Sequence, residues 1–371
     1  MASIVIDARE LRTSSGRYVE RLLHYLQKLD KKNQYSVLLK PQDMAGWQPA
    51  RPNFQKVACP HKEFSFAEQL GLKRQINSLR PDLVHFTFPQ QPIRYQGKVV
   101  TTIHDLTTLR FNNPDKNRLA YKFKQRVYGR VINRAAHKSA ALIVPSKFVK
   151  DDVARFAGIS SDKISVTYEA ADSIRDKPQP LGSLEGKQFI MYVGRPTPHK
   201  NLERLVEAFV RLKAQHPELK LVLAGKKDAN YSRVETSARE HTIRGVVFAG
   251  YVSEGRLRWL YQNCAAYVFP SLSEGFGLPG LEAMRHGAPV VSSKATCLPE
   301  IYGKAARYFD PHSEKAMAKA VNEVLVNKAL RSKLAKAGKA RSQQYSWQRM
   351  AQQTLSIYDE VLAKDSSLPP P

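Results

Sequence analysis

Short apolar segments of strand character alternate with segments of helical period along most of the chain. The strand patterns lie at residues 3–6, 35–39, 83–86, 99–103 and 141–144, and again at residues 188–193, 219–224, 246–249, 266–269 and 289–292. The residues between them place apolar side chains three and four positions apart, as an amphipathic helix does. Such alternation predicts an α/β fold with doubly wound, mostly parallel sheets.

The alternation is interrupted once, at residues 172–187, which contain proline, glycine and serine without periodicity. This composition is typical of a linker. A chain of 371 residues is also longer than one ordinary core. We therefore predict an N-terminal domain at 1–172, a linker at 173–187, a C-terminal domain at 188–345 and a final docking helix at 346–364.

The formal net charge of +26 predicts an anionic partner or surface. Residues 116–150 contain ten Lys or Arg and no Asp or Glu. Basic residues recur there every four positions, and apolar residues recur with the same period (Arg118, Lys122, Arg126, Arg130, Arg134 and Lys138; Leu119, Phe123, Val127, Val131 and Ala135). The apolar stripe of this predicted helix either packs on the sheet or lies in a membrane interface while the cations meet phosphates.

The spacing of the cysteines and the hydropathy of the chain indicate the cellular compartment of the protein. Cys59, Cys264 and Cys297 show neither paired nor metal-ligand spacing, which favours a reduced, cytosolic compartment. The first residues enter a strand pattern without a signal sequence, and no apolar run approaches the roughly 20 residues that cross a bilayer. We expect a cytoplasmic protein that is not an integral membrane protein.

The clearest candidate site is the segment 271–284. Its three glycines and Pro279 form a loop after a buried strand, and a helix is expected at 281–286. Glu274 in the loop and Glu282 in the expected first helical turn would project at the carboxyl end of a parallel sheet, where open α/β sheets bind ligands. The sequence therefore predicts a pocket with two carboxylates.

Two cations follow another strand, in the segment 194–201. Arg195 lies at the strand end and Lys200 precedes the helix that begins near Leu202. A forked donor, a point charge and free helix N–H groups suit a diphosphate, whereas a helix N-terminus disfavours cations without one. We expect an anion between Arg195 and Lys200.

The N-terminal domain offers weaker candidates. Gly16 precedes an amphipathic helix, with Ser14 or Ser15 as the expected N-cap, so its backbone suits an anion or an ordinary turn. His85 and the pair His104-Asp105 end two strands, where they serve either a site or the core.

Several motifs together resemble retaining glycosyltransferases of family 4, and within them the bacterial polysaccharide mannosyltransferases. The motifs are Glu274 to Glu282 within Ser-Glu-Gly-Phe-Gly-Leu-Pro, Gly194-Arg195 with His199-Lys200-Asn201, Cys297-Leu298-Pro299-Glu300, Tyr308-Phe309-Asp310-Pro311, Asp7-Ala8-Arg9 with Ser15-Gly16-Arg17-Tyr18, and Thr102-Ile103-His104-Asp105-Leu106. The resemblance spans nearly the whole chain. Ser15 before Gly16, Lys304 after Gly303 and Gly280 in place of a frequent proline depart from the family pattern.

The resemblance implies a GT-B fold, in which two Rossmann-like domains face each other across a cleft and the last helix crosses back to the N-terminal domain. It implies that Arg195 and Lys200 neutralise the leaving diphosphate, Glu274 binds the transferred sugar, Glu282 the ribose, Gly16 the phosphates and His104 the other face of the sugar. His104, Arg195, Lys200 and Glu274 would be catalytic. The implied donor-binding residues are Gly16, Gly194, Arg195, Lys200, Glu274, Gly275, Phe276, Gly277, Leu278 and Glu282.

The expected reaction is transfer of a hexose, with mannose from GDP-mannose favoured, to a glycan or lipid-linked acceptor by a front-side displacement that retains configuration. A UDP-sugar with a soluble or protein acceptor is the alternative. No Asp-x-Asp motif occurs, so we expect no metal and no cofactor. The basic region at 116–150 would bind an anionic membrane from the cytoplasmic side. Two further alternatives are a nucleic-acid-binding protein, which lacks any recognised motif here, and an inactive sugar-nucleotide binder.

Overall fold

The polypeptide forms two compact units, each built on a parallel sheet. The computed structural model describes residues 1–13, 16–63, 65, 67–111 and 118–364, and only the backbone of residues 118–120. Unit 1 comprises residues 1–109, 119–169 and 346–371, and unit 2 comprises residues 110–118 and 170–345. The chain therefore enters unit 2 and later returns to unit 1.

Unit 1 contains a seven-stranded sheet in its described part. The strands are β1 (Ser3–Asp7), β2 (Gln34–Leu39), β3 (Phe54–Ala58), β4 (Leu83–Phe86), β5 (Val99–Thr102), β6 (Ala141–Val144) and β7 (Ile164–Val166), in the order β3-β2-β1-β4-β5-β6-β7. The helices are α1 (Gly16–Leu29), α2 (Lys73–Ser78), α3 (Thr107–Arg110), α4 (Arg118–Lys138), α5 (Lys147–Ala157) and the last helix of the chain, Trp347–Ala363. All adjacent strands pair in parallel.

The last helix of the chain packs on the first helix of unit 1. It spans Trp347–Ala363, and its apolar side chains lie three and four residues apart on one buried face (Trp347, Met350, Ala351, Ile357, Tyr358 and Val361). It begins at Ser346, whose side chain accepts a hydrogen bond from the Arg349 N–H and so caps the helix. Residues from the two ends of the sequence thus share one core.

Unit 2 contains a six-stranded parallel sheet. Its strands are β8 (Phe189–Val193), β9 (Lys220–Ala224), β10 (Val246–Gly250), β11 (Ala266–Phe269), β12 (Val290–Ser293) and β13 (Ala306–Phe309), in the order β10-β9-β8-β11-β12-β13. Its helices are α6 (Leu202–Lys213), α7 (Ala229–Glu240), α8 (Glu254–Asn263), α9 (Leu278–Arg285), α10 (Leu298–Tyr302), α11 (Glu314–Val326) and α12 (Lys328–Ser342); the helix Trp347–Ala363 is α13.

The strand order places a topological switch point in each unit. In unit 2 the chain leaves β8 towards β9 on one side, whereas β11 pairs with β8 on the other side. The loops that follow β8 and β11 therefore leave the same edge of the sheet as neighbours, which is where sheets of this kind bind ligands. These two loops carry Arg195, Lys200 and Glu274.

Three strands were missed by the sequence prediction, and all three lie at sheet edges. They are β3, β7 and β13. Edge strands are covered less completely than central ones, so their sequences mix polar and apolar residues instead of forming the continuous apolar runs that identify central parallel strands. These three strands therefore lack the continuous apolar run by which the other strands were predicted.

The predicted apolar stripe of α4 is buried only in its second half. Val131 and Ala135 are buried, but Phe123 and Val127 are exposed, and the side chain of Leu119 lies outside the described residues. A strict four-residue repeat turns by about 40° at each step around a helix of 3.6 residues per turn. The stripe consequently winds from the solvent side of the helix to the core side.

Candidate functional site

An ion pair joins the two neighbouring loops of unit 2. Lys200 Nζ lies 2.6 Å from Glu274 Oε1, and both side chains are largely buried. Lys200 Nζ also lies 5.8 Å from the centre of the Phe269 ring, which closes the end of β11. Because low solvent access strengthens the attraction between the charges, this pair fixes the Lys200 loop against the Glu274 loop.

Asn201 and Thr296 hold the backbone of this pair in place. Asn201 adopts a left-handed conformation (φ 61°), and its buried amide donates to the carbonyls of Pro270 and Pro311 at 3.1 and 2.8 Å. The hydroxyl of Thr296, also left-handed at φ 51°, accepts from the Glu274 N–H at 3.1 Å. Left-handed backbone at non-glycine residues is costly, and such strain concentrates at functional sites.

Arg195 is hydrogen-bonded to Asp228 and, within the described residues, to neither Lys200 nor Glu274. Arg195 Nε lies 2.7 Å from Asp228 Oδ2, and the Arg195 side chain remains 65% exposed. The other oxygen of Asp228 caps α7 by accepting from the Tyr231 N–H at 3.0 Å. Partial burial opposes ionisation of Asp228, but these two hydrogen bonds outweigh it and lower its pKa.

The expected anion between Arg195 and Lys200 is thus matched, within the described residues, by two carboxylates of the chain itself. Glu274 faces Lys200 and Asp228 faces Arg195. Arg195 engages Asp228 through Nε, so its two terminal nitrogens keep the planar fork that suits a phosphate. The diphosphate site between the two cations stays a prediction, and its electrostatics must include both carboxylates.

Tyr302 requires glycine at position 277, at the end of the Glu274 loop, and at position 280, in the first turn of α9. The Tyr302 hydroxyl donates to the carbonyl of Gly277 at 2.6 Å. A Cβ at Gly280 would lie only 2.1 Å from the Tyr302 hydroxyl oxygen. Gly277 has φ 93°, which disfavours any other residue. Tyr302 is fully buried, and burial followed by the charge of Glu274 raises its pKa. The hydroxyl is therefore a proton donor that stabilises the loop.

The other predicted donor-binding residues lie around this loop. Gly275 and Phe276 are buried, and Phe276 packs edge-to-face on Tyr345 with ring centres 5.5 Å apart. Leu278 is half-buried at the start of α9. Gly194 has φ 147°, and its carbonyl would meet a Cβ placed on Gly225 at 2.3 Å.

Helix α9 begins three residues earlier than the sequence suggested. It starts at Leu278 with Pro279 in its first turn, so half-buried Glu282 lies in the second turn and not in the first. Proline is favoured at the first helical positions because no partner for its nitrogen is needed there. The sequence interpretation had assigned Pro279 and Gly280 to the loop.

His104 occupies a polar position in unit 1. Its Nδ1 lies 3.3 Å from Glu169 Oε1 and its Nε2 lies 3.1 Å from the carbonyl of Thr87, so both ring nitrogens face acceptors. The rings of Tyr18 and Phe88 pack against it, with centres 4.8 and 4.9 Å away. These contacts fix the orientation of the imidazole.

His85 is a structural residue, which is one of the two roles that the sequence left open for it. It is fully buried, with Nδ1 2.5 Å from the Tyr358 hydroxyl and Nε2 2.8 Å from the Thr102 hydroxyl. Burial, followed by the charge of His104, lowers its pKa to about 3. His85 therefore joins β4 to α13 as a neutral ring.

Gly16 is the first residue of α1, and Ser14 and Ser15 lie outside the described residues. A Cβ at Gly16 would lie 2.0 Å from the carbonyl oxygen of Leu11. The glycine is thus required by its own loop. Its N–H donates to the carbonyl of Thr13 at 3.0 Å, and the expected phosphate contact stays a prediction.

Sequence reasoning missed Asp228, Glu169 and Tyr302. Asp228 carried one local signal, because Asp followed by a helical pattern is a typical N-cap. Glu169 follows edge strand β7, which was itself missed, and Tyr302 lies 25 residues from the carbonyl it binds. Their partners are distant in sequence, so no local pattern identifies them.

Within the described residues, no group of three or more His, Cys, Asp or Glu is arranged to hold a metal ion. The described helices also include none with the length and apolar character needed to cross a membrane.

Two Rossmann-like parallel units, with a charged site at the switch point of the second, define a glycosyltransferase of the GT-B class. A family model described as "Glycosyltransferase Family 4" matches residues 15–175, and one described as "Glycosyl transferases group 1" matches residues 173–341. The chain is 32% identical over 278 residues to O-antigen chain mannosyltransferase B of Escherichia coli, covering 70% of each protein. The chain belongs to glycosyltransferase family 4.

Another relative agrees with this assignment, and two solved structures share the fold. The serotype-specific mannosyltransferase WbdA of Escherichia coli is 27% identical over 359 residues, which cover 90% of this chain and 43% of that protein. Sucrose-phosphate synthase from Thermosynechococcus elongatus has the same fold with a TM-score of 0.78 at 19% identity, over 98% of this chain and 100% of that one. HepE from Anabaena, solved with UDP and glucose, has a TM-score of 0.74 at 16% identity, over 97% of this chain and 100% of that one.

Proposed function

We propose that the protein transfers a hexose, mannose in the first instance, from a nucleotide diphosphate sugar to a glycan or lipid-linked saccharide with retention of anomeric configuration. The observation that carries this proposal is the Lys200–Glu274 pair at the junction of the β8 and β11 loops. In this proposal the lysine serves the leaving diphosphate, and the adjacent carboxylate binds sugar hydroxyls. The names of the mannosyltransferase relatives support mannose as the sugar.

The proposed chemistry assigns distinct roles to these charges. The bond from the anomeric carbon to the diphosphate oxygen breaks, its electron pair stays on that oxygen, and positive charge develops on the sugar ring. Lys200 and Arg195 stabilise the negative charge on the diphosphate, which lowers the barrier. Glu274 accepts hydrogen bonds from sugar hydroxyls, and Glu282 from the ribose.

The acceptor hydroxyl attacks the anomeric carbon on the face that the diphosphate leaves, and its proton passes to the leaving phosphate oxygen. Atoms and charge then balance without an added metal or cofactor. In this proposal the cations Arg195 and Lys200 replace a metal, and Glu274 is not a nucleophile. Gly16 and His104 of unit 1 are retained as proposed donor-binding and catalytic residues.

The donor remains to be assigned by experiment between GDP-mannose and a UDP-sugar. The UDP-sugar alternative is kept because HepE, which shares the fold, was solved with UDP and glucose. A thermal-shift and hydrolysis panel of sugar nucleotides separates the two. Stabilisation by GDP-mannose alone supports mannose, stabilisation by UDP-glucose alone supports the alternative, and no response to any sugar nucleotide contradicts the proposal.

The site assignment is tested by repeating the panel with Lys200→Ala and Glu274→Ala. Both should abolish transfer while the far-ultraviolet circular dichroism stays unchanged. The matched control is Arg239→Ala with Glu235→Ala, which removes an ion pair of 2.7 Å elsewhere in unit 2. Chelator should leave wild-type activity intact, and the product from an α-linked donor should be α-linked by proton NMR. Full activity of either site variant would break the assignment.

We also propose that the protein is cytoplasmic and works peripherally at a membrane that carries its acceptor. The basic region at 116–150 would meet anionic headgroups there, as its ten cations and lack of acidic residues suggest.

A further inference from the structure

Two large apolar side chains stand exposed one turn apart on helix α4. Phe123 is 67% exposed and Val127 is 43% exposed. They are separated by four residues, so they lie beside each other on one face of the helix. A single exposed apolar residue needs no explanation, but an exposed pair on one face is a potential contact surface.

This face is not the one by which α4 packs on unit 1. Ile132 and Ala136 lie in a buried cluster with Ile103, and Tyr128 packs against that cluster. At 100° per residue, Phe123 lies about 180° around the helix from Ile132. The core is therefore complete without Phe123, and this side chain is directed away from it.

Cations surround the exposed pair. Lys122, Lys124, Arg126 and Arg130 are all exposed. Arg130 lies about 20° from Phe123 around the helix and two turns further along it, and Arg126 lies about 60° from Phe123 on the same side as Arg130. No acidic residue occurs between positions 116 and 150. The face thus combines an apolar centre with a positive border.

We propose that this face of α4 inserts Phe123 and Val127 between the headgroups of an anionic lipid bilayer, with Arg126 and Arg130 bound to lipid phosphates. An amphipathic helix of this composition lies in the membrane plane and gains from both apolar burial and charge. The inference rests on the proposed function, which places the enzyme at a membrane, and adds the mode of attachment.

Other occupants suit the face less well. A nucleic acid would neutralise the cations through its phosphates. It has no apolar interior in which Phe123 and Val127 could be buried. A second copy of the chain carries the same net charge of +26, so the positive border opposes self-association at this face. A bilayer satisfies the cations and the apolar pair together.

The first test is sedimentation with phosphatidylcholine vesicles that contain increasing phosphatidylglycerol. Phe123→Ser with Val127→Ser should lower vesicle affinity by about tenfold or more, since burial of two such side chains is the larger part of insertion. The matched control is Val210→Ser, because Val210 is 46% exposed on α6 of unit 2. Equal binding by the double variant and the wild type would overturn the proposal.

The second test separates charge from insertion. Lys122→Ser, Arg126→Ser and Arg130→Ser together should abolish the dependence on phosphatidylglycerol and on salt. The control removes the same charge from exposed positions of α12 with Lys328→Ser, Lys333→Ser and Lys336→Ser. If both triple variants lose affinity equally, binding reflects bulk charge and the proposed face is wrong.

Insertion itself is measured with Phe123→Trp. The fluorescence of the new tryptophan is obtained by subtracting the wild-type spectrum from that of the variant. A blue shift on vesicle addition, with quenching by brominated lipid, supports insertion; an unshifted spectrum overturns it. Donor hydrolysis without vesicles should be unchanged in every variant. Failure of hydrolysis in the wild type would contradict the proposed function alone, whereas normal hydrolysis without insertion would contradict this inference alone.

Discussion

Arg195 Nε lies 2.7 Å from Asp228 Oδ2, and the second oxygen of the same carboxylate caps helix α7. Because the cap fixes Asp228, the carboxylate cannot follow Arg195 if the guanidinium moves. Asp228 therefore orients Arg195 while leaving its terminal nitrogens directed elsewhere. We infer that Asp228 is a positioning residue for the proposed diphosphate contact.

Two substitutions at Asp228 should separate this role from the cap. Asp228→Ser keeps a capping oxygen but is too short to pair with Arg195, so the KM for the sugar nucleotide should rise about tenfold with little change in stability. Asp228→Ala should show the same KM and also lose about 1 kcal/mol of stability with the cap. Steady-state kinetics and urea unfolding measure the two effects. An unchanged KM in the serine variant would remove Asp228 from the site.

Substitutions of Lys200 and Glu274 should have non-additive effects on stability. Lys200→Met or Glu274→Gln alone leaves one charge largely buried without its partner and should lower the free energy of unfolding by about 2 kcal/mol. The double variant should regain most of that stability but no transfer activity. If the double variant loses as much free energy of unfolding as the two single variants together, the two side chains do not interact.

Tyr302→Phe should weaken donor binding without direct contact to the donor. Loss of the hydrogen bond to the Gly277 carbonyl costs about 1 kcal/mol and loosens the Glu274 loop, so KM should rise more than kcat falls. The matched control is Tyr308→Phe, which removes a hydroxyl that donates to the Gly303 carbonyl at 2.7 Å. If both variants have the same kinetics, Tyr302 has no special role in the loop.

Burial of neutral His85 predicts an acid-sensitive stability. Its pKa is lowered to about 3, so between this value and the ordinary value near 6.5 the unfolded chain binds a proton that the folded chain does not. Stability from this residue is complete above about pH 6.5 and falls by about 1.4 kcal/mol per pH unit below it.

His85→Gln keeps hydrogen-bonding capacity without titration and should reduce this slope. Urea unfolding at pH 5, 6, 7 and 8 measures it, and the two proteins should have parallel profiles above about pH 7.5. An identical slope for both proteins between pH 5 and 6 would contradict the assignment.

Sequence patterns predicted the parallel α/β units and the charged segments of the site because both depend on local signals. Continuous apolar runs identify central strands, and glycine with adjacent charges identifies loops at strand ends. Lys200 and Glu274 were predicted in this way, although their mutual contact was not.

The remaining features depend on contacts between distant residues. Asp228 lies 33 residues from Arg195, and Tyr358 lies 273 residues from His85. No periodicity records such pairs. The drift of the four-residue repeat in α4 was visible in the sequence, but only the sheet beneath decides which part of the stripe it covers.

The return of α13 to unit 1 has a consequence for biosynthesis. Helix α13 completes the core of unit 1 with Tyr358, more than 170 residues after β7 has left the ribosome. Unit 2 is contiguous apart from residues 110–118 and can fold as soon as Tyr345 emerges. The N-terminal unit, although synthesised first, is therefore the one that finishes folding last, with α1 and His85 open to chaperones until α13 has emerged from the ribosome.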